Sequence, residues 1–259
     1  MPKQHPTRSI LASQSIDENG PGSVLRDFKM LLGFVEEGVP SSGKYHLLPM
    51  ARLCELDQLM ARPLRPRLKR PQQRSFPHLN GLYLLLRATQ LGVAEGHGKG
   101  SGTLTLDAAM YEQWLRLNPT ERYFNLLEAW LCRGAWQALG LRSGGWMNSV
   151  PWDASNLWTA IPPGGRTLSG KAGGQREFLY STERSCTLAL LELFGLMTVG
   201  RREPDEGESW HVTKVLHTPF GDELLQIIFE EIGPETFSHR QPAEEFGVWQ
   251  PVLQPFFPE

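Results

Sequence analysis

The sequence predicts a mainly α-helical protein with small β wings, arranged as two tandem modules joined by a helical and Trp/Gly/Pro-rich connector. Three observations predict it. The segment HVTKVLHTPFGDELLQIIFEEIG, residues 211–233, passes from strand-like alternation to helical spacing across a single Thr-Pro step. The residues before it, from 188 onward, supply a helix, a short apolar strand and a polar turn. Residues 77–117 repeat the order helix, strand, tip, strand, helix.

The elements follow in chain order. Residues 1–22 are polar and rich in Pro, Gly and Ser, which predicts a disordered tail. The first module spans 23–118. It opens with a helix over 24–35 that carries Leu25, Phe28, Leu31 and Leu32 on one face, and PSSG breaks it. LLPMARLCELDQLM is a second helix, with Leu53, Leu56 and Leu59 along one side. ARPLRPRLKRPQQRS then combines prolines with like charges, a poor setting for a helix. A helix from Pro77 to about Gln90 ends near Gly92; GVAEG and TLTL are strands around the tip HGKGSG, and Asp107 caps a last helix.

The connector spans 119–180. Asn118-Pro119-Thr120-Glu121 is a capping-box start for an apolar helix that should bury Phe124, Leu127, Trp130 and Leu131. Residues 143–180 read as a loop anchored by Trp146, Trp152 and Trp158. The second module spans 181–233. A helix holding Leu188, Leu191 and Leu193 stops at Gly195, strands cover 196–199 and 210–216, and EPDEGE is the turn between them. Thr218 is the N-cap of the last helix and Pro219 its first residue, with Gly233-Pro234 as the stop. Residues 234–259 form an aromatic C-terminal tail.

Composition narrows the function classes. The chain has 259 residues, 40% hydrophobic and 21% charged, with a net charge of −2, so a nucleic-acid surface has to be local. Cys54, Cys132 and Cys186 are odd in number and far apart, which argues against a disulfide frame or a zinc finger and for a reducing compartment. No apolar run reaches membrane-spanning length and no signal-peptide core is present, so the expected location is cytoplasmic with no membrane partner.

Chemistry-bearing motifs are few. GRTLSGKA, residues 165–172, has phosphate-loop spacing, but Ala172 stands where a magnesium-binding hydroxyl belongs, Pro162 and Pro163 replace the preceding strand, and Gly173-Gly174 oppose the following helix. His5, His46, His78, His97, His211, His217 and His239 form no ligand spacing. No Gly-x-Ser-x-Gly elbow or acid–base pair is present. The expectation is a non-enzyme with no cofactor, no metal and no catalytic residue.

The strongest charge feature is the stretch holding Arg62, Arg65, Arg67, Lys69, Arg70 and Arg74, just before the helix that starts at Pro77. Such a run is either a solvated linker or a phosphate-binding flank. If that helix reads a major groove, its polar side chains His78, Asn80, Tyr83 and Arg87 meet base edges, and Lys99, beside His97, lies at the tip of the first wing. The second wing carries Glu203, Asp205, Glu206 and Glu208, which repel phosphates and suit protein docking or dimerisation.

The strand leading through TPFG into DELL resembles the end of a winged-helix domain of the MarR type, which implies two winged-helix-like modules. RSFPHLNGLYLLLRATQLG, LNPTERYFNLLEAWL and VLHTPFGDELL are similar to the N-terminal region of long members of a plasmid open-reading-frame-three family, over residues 24–232. That resemblance implies a plasmid or transposon context and names no chemistry. The resemblance implies that long members of the family continue into a β-rich C-terminal domain beyond the matched region. Two function classes follow: a double-stranded-DNA-binding protein whose first module contacts DNA and whose second docks a protein, or a protein–protein adaptor without specific DNA recognition.

Overall fold

The structure, a computed structural model, describes residues 8–96, 101–141, 149–168 and 172–228, together with Trp249, Leu253, Phe256 and Phe257. It is mixed α/β, about 53% helical, with two small three-stranded antiparallel sheets. Among the described residues no helix is long and apolar enough to cross a membrane.

After α1 (Arg8–Ser13), the first half runs α2 (Val24–Glu36), β1 (Val39–Ser42), α3 (Met50–Leu59), α4 (Pro77–Ala88), β2 (Gly92–Glu95), β3 (Ser101–Leu106) and α5 (Ala108–Arg116). A link follows, made of α6 (Pro119–Glu128), a π-helical turn (Ala129–Arg133) and a 3-10 turn (Trp136–Leu139). The second half runs α7 (Val150–Thr159), β4 (Arg166–Thr167), α8 (Ala172–Phe178), α9 (Thr182–Leu193), β5 (Met197–Arg202), β6 (His211–His217) and α10 (Pro219–Gln226). Both halves therefore have the element order αβααββα, and both sheets place the third strand between the first and second: β1-β3-β2 and β4-β6-β5.

The shared order extends further than the sequence alone reveals. PSSG is not merely a helix break: Val39–Ser42 pairs with β3, Val39 opposite Leu104. Residues 150–178, expected within a connector, supply the first three elements of the second half. Both missed strands are too short for two-residue periodicity to register. Gly173-Gly174 do not stop α8 from forming.

Capping chemistry fixes the helix starts as expected. Thr218 Oγ1 accepts from the Gly221 N–H at 2.9 Å, Asp107 Oδ1 from Met110 N–H at 2.9 Å, and Asn118 and Glu121 form a reciprocal capping box. The alternation expected over 210–216 is broken by a β-bulge. Gly200 pairs with Lys214 but Arg201 pairs with Val212, leaving Thr213 unopposed. A bulge re-aims a strand, so Val212 and Val215, three apart, are both fully buried.

The core runs through both halves. α4 packs against α9, and Gly81 sits where they meet: a Cβ there would stand 2.8 Å from Leu190 Cγ. Leu79, Leu82, Tyr83, Leu84, Leu85 and Leu86 are all buried, as a helix that is apolar on every side must be. α6 wedges beside this pair. Tyr123 donates to the Phe194 carbonyl at 2.6 Å, and Trp130 stacks on Phe194 at 5.5 Å. Phe124, Leu127, Trp130 and Leu131 are buried.

The two ends are also held. Residues 8–22 are not a loose tail: Leu11 and Ile16 are buried, α1 packs on α10, and the Ser23 N–H donates to the Leu193 carbonyl at 2.8 Å. Phe257 packs against Phe124 at 4.8 Å, and Trp249 and Leu253 are buried. Of the expected tryptophan anchors, Trp158 stacks on His217 at 3.7 Å, Trp152 is 39% exposed, and Trp146 lies outside the described residues.

Candidate nucleic-acid interface

The basic stretch runs as irregular chain between α3 and α4, with bends at 61–62 and 69–70, Arg65 in the left-handed region at φ 50°, and a 3-10 turn at Gln73–Ser75. Pro63, Pro66 and Pro71 and the repulsion of like charges keep it out of a helix. It is fixed at both ends and in the middle. The Asp57 carboxylate accepts the N–H groups of Leu64 and Arg65, each at 2.9 Å, and Leu64 is buried. Arg67 is pinned to the turn between β5 and β6: its N–H donates to the Glu208 carbonyl at 3.0 Å, and the Gly207 N–H donates to its carbonyl at 2.8 Å. At the far end Gln73 is buried, its Oε1 accepting from Leu48 N–H at 2.8 Å. Between these anchors Arg65, Arg67, Lys69, Arg70 and Arg74 are exposed, with no ion pair to the described residues.

Arg62 leaves this set. It forms an ion pair with Glu192, whose carboxylate also lies 3.9 Å from Arg201, and Arg201 donates to the Arg62 carbonyl at 3.1 Å. A guanidinium committed to a largely buried carboxylate is withdrawn from phosphates.

The expectation that α4 reads bases requires correction. His78, Asn80 and Tyr83 are buried. His78 Nε2 stands 2.9 Å from Asp57 Oδ1; Asn80 Oδ1 accepts from Gln73 Nε2 at 3.1 Å; the Tyr83 hydroxyl donates to the His46 carbonyl at 2.6 Å. Arg87, half-buried, donates to the Tyr83 hydroxyl at 3.1 Å. Asp57, Gln73 and the His46 carbonyl hold these side chains inside the protein, because a helix buried along most of its length has no solvent face to offer a base edge. Lys99 and His97 lie outside the described residues.

Sequence reasoning missed the polar network behind the stretch: Asp27, Asp57, Glu192 and Arg201. Asp27 Oδ1 accepts from Ala61 N–H at 2.7 Å and its Oδ2 from Ser23 Oγ at 2.8 Å. Burial pushes the Asp27 carboxyl above its usual range, against the pull of those bonds and of His78 and Arg26. Burial likewise raises Glu192, opposed by Arg201 and Arg62. Burial would also raise Asp57, but His78 and the two N–H donors outweigh it and hold that carboxyl below the ordinary value. The signal for this network in the sequence is an acidic residue on an apolar helix stripe: Asp27 among Val24, Phe28 and Leu31.

The acidic turn of the second half lies beside the basic stretch, joined to it through Arg67. Arg202 grips Asp205 at 2.7 and 3.3 Å, and its hydrogen bonds and charge lower the Asp205 carboxyl. His211 Nδ1 lies 2.9 Å from Glu208 Oε2 and lowers that carboxyl. Among the described residues, Asp205, Glu208 and His211 are the group whose ligand atoms, within 4.8 Å of one another, are near enough to share a metal, and all three already have protein partners. In the phosphate-loop-like segment, Arg166–Thr167 is a strand inside the would-be loop and residues 169–171 lie outside the described set.

No protein-family model, curated protein or solved structure matches the chain.

Proposed function

We propose that this protein is a tandem winged-helix-like nucleic-acid-binding protein of plasmid or mobile-element context. It grips duplex DNA through the phosphate backbone and does not read bases with α4. The winged-helix reading is supported by the order αβααββα and by the sheet order shared by both halves. The mobile-element context rests on the family resemblance alone. The observation that carries the binding reading is the exposed row of Arg65, Arg67, Lys69, Arg70 and Arg74 on a segment held by Asp57, the second-half turn and Gln73. Cations displayed on a fixed scaffold meet phosphates without ordering a loose chain first.

The test is a titration on random duplex DNA at two salt concentrations, for wild type and for a variant with Arg65, Lys69, Arg70 and Arg74 changed to Gln. Affinity should fall for every duplex alike, and the log–log salt slope should flatten by roughly 0.9 for each phosphate that is no longer neutralised. Equal binding by the two proteins at physiological salt would overturn the reading.

A second reading is a protein–protein adaptor, favoured by one observation: α4 and α9, the helices in the groove-reading position of each half, are packed against each other. Here the acidic turn with Glu203, Asp205 and Glu206 exposed offers a docking surface for a basic partner or a second copy. This reading predicts weak DNA binding from the outset, unaffected by the four substitutions.

A further inference from the structure

A cavity of about 460 Å³ opens between the two halves. Its wall is drawn from the N-terminal segment and α2 (Arg26, Asp27), from the first half (Arg62, His78) and from the second (Glu192, Arg201). That volume suits a small molecule, and junctions between folded units are preferred places for such sites.

Its chemistry follows from which groups are already used. Every carboxylate on the wall has an internal partner: Glu18 with Lys29 at 2.6 Å, Asp27 with Ser23 and Ala61, Glu192 with Arg62 and Arg201. Two nitrogen groups on the wall are unused. Arg26 is exposed and has no ion pair to the described residues, although its charge reaches Asp27. His78 has a side chain only 8% exposed, and neither of its buried ring nitrogens makes a well-formed hydrogen bond, Nε2 standing 2.9 Å from Asp57 as a charge contact. His78 lies on the wall while Asp57, 2.9 Å from its Nε2, does not. A buried polar nitrogen without a partner is costly, and a ligand removes the cost. The spare capacity of the cavity is therefore that of cations and donors, with the Thr198 hydroxyl and the Asn19 amide at hand.

We infer that this cavity is a binding site for a small anion bearing a carboxylate or a phosphate. The anion sits between Arg26 and the Nδ1 side of His78, which donates from both nitrogens when protonated: Nε2 to Asp57 and Nδ1 to the ligand. Because the wall belongs to both halves, the bound anion ties them together and stabilises the whole chain. The site is separate from the exposed basic stretch.

The experiment titrates the full-length protein with inorganic phosphate and, separately, with succinate, each against sodium chloride of matched ionic strength. Thermal unfolding and the His78 imidazole NMR resonances are followed together. One probe should raise Tm saturably beyond the chloride control and shift the His78 resonances; which of the two does so tells phosphate from carboxylate. Arg26→Gln, on the surface and compatible with folding, should weaken the response about ten-fold or more, as expected when a charge-assisted hydrogen bond is removed. His78→Gln should do the same where it folds. Arg116→Gln, remote and exposed, is the control for general surface charge. The proposal is overturned if neither probe exceeds the chloride control, if the His78 resonances do not move, or if Arg26→Gln responds like wild type. A failure of DNA binding leaves these outcomes untouched.

Discussion

Tyr123 shows what one buried polar atom does here. Its ring is fully enclosed by Phe124, Phe194 and Phe220, and its hydroxyl donates to the Phe194 carbonyl at 2.6 Å, the residue that ends α9. Tyr123→Phe should cost about 1–3 kcal/mol, because the carbonyl is left buried without its donor; urea unfolding with an unchanged m-value would verify this. Asp57 is a second such atom pair. Its carboxyl is held below the usual range, so the stability it supplies is complete above about pH 4, its unfolded value, and is lost as pH falls through the folded one. Asp27 and Glu192 act oppositely: their folded values are raised, so the native state takes up their protons first and gains stability as pH drops toward that range. The expected profile is a gentle rise on mild acidification followed by a fall below about pH 4. Asp57→Asn should lose on the order of 1–3 kcal/mol at neutral pH by weakening the acceptor of the Leu64 and Arg65 N–H groups, and it should flatten the acid limb. Unfolding midpoints measured across pH would show a monotonic fall instead if the raised carboxyls carried no weight.

At the scale of elements, two junctions hold the arrangement. Thr218 caps α10 and also donates to the Gly195 carbonyl at 2.7 Å, so one side chain starts a helix and ties it to the end of the α9 turn. Thr218→Ala should cost about 1–2 kcal/mol, and Thr218→Ser less, as read from thermal or chemical unfolding. Gly81 lets α4 and α9 approach. A methyl group there meets Leu190, so Gly81→Ala should destabilise by about 1–3 kcal/mol through overpacking, despite the better helix propensity of alanine. Restoration by Leu190→Val in the double variant would locate the cost between those two side chains.

For the molecule as a whole, the face that each half would offer alone is apolar. Residues 23–118 produced without the rest would expose the face of α4 around Gly81, which α9 now covers. Such a fragment should aggregate or pair with itself, as size-exclusion chromatography and circular dichroism would reveal; a monomeric, cooperatively folding fragment would contradict this reading. The exposed cations and the acidic turn coexist on one surface because Arg67 links their backbones, and the near-zero net charge hides both.

The sequence by itself determined the local elements. Thr218-Pro219, Asp107 and Asn118-Pro119-Thr120-Glu121 set helix starts through side-chain acceptors within reach of their own backbones, which needs no knowledge of the fold. It also carries a sign that α4 is buried: HLNGLYLLLRA has too few polar positions for a helix with a solvent face. Only the tertiary structure decided the rest. Arg166–Thr167 is a strand because β6 is beside it, Val212 and Val215 share a face because of a bulge opposite Gly200 and Arg201, and His78, Asn80 and Tyr83 turned inward because Asp57, Gln73 and the His46 carbonyl meet them there. Glu192 meets Arg62 from 130 residues away. Caps and periodicity act within one turn of chain, whereas burial and charge pairing depend on which distant surface arrives, and that is fixed only when the two halves close on each other.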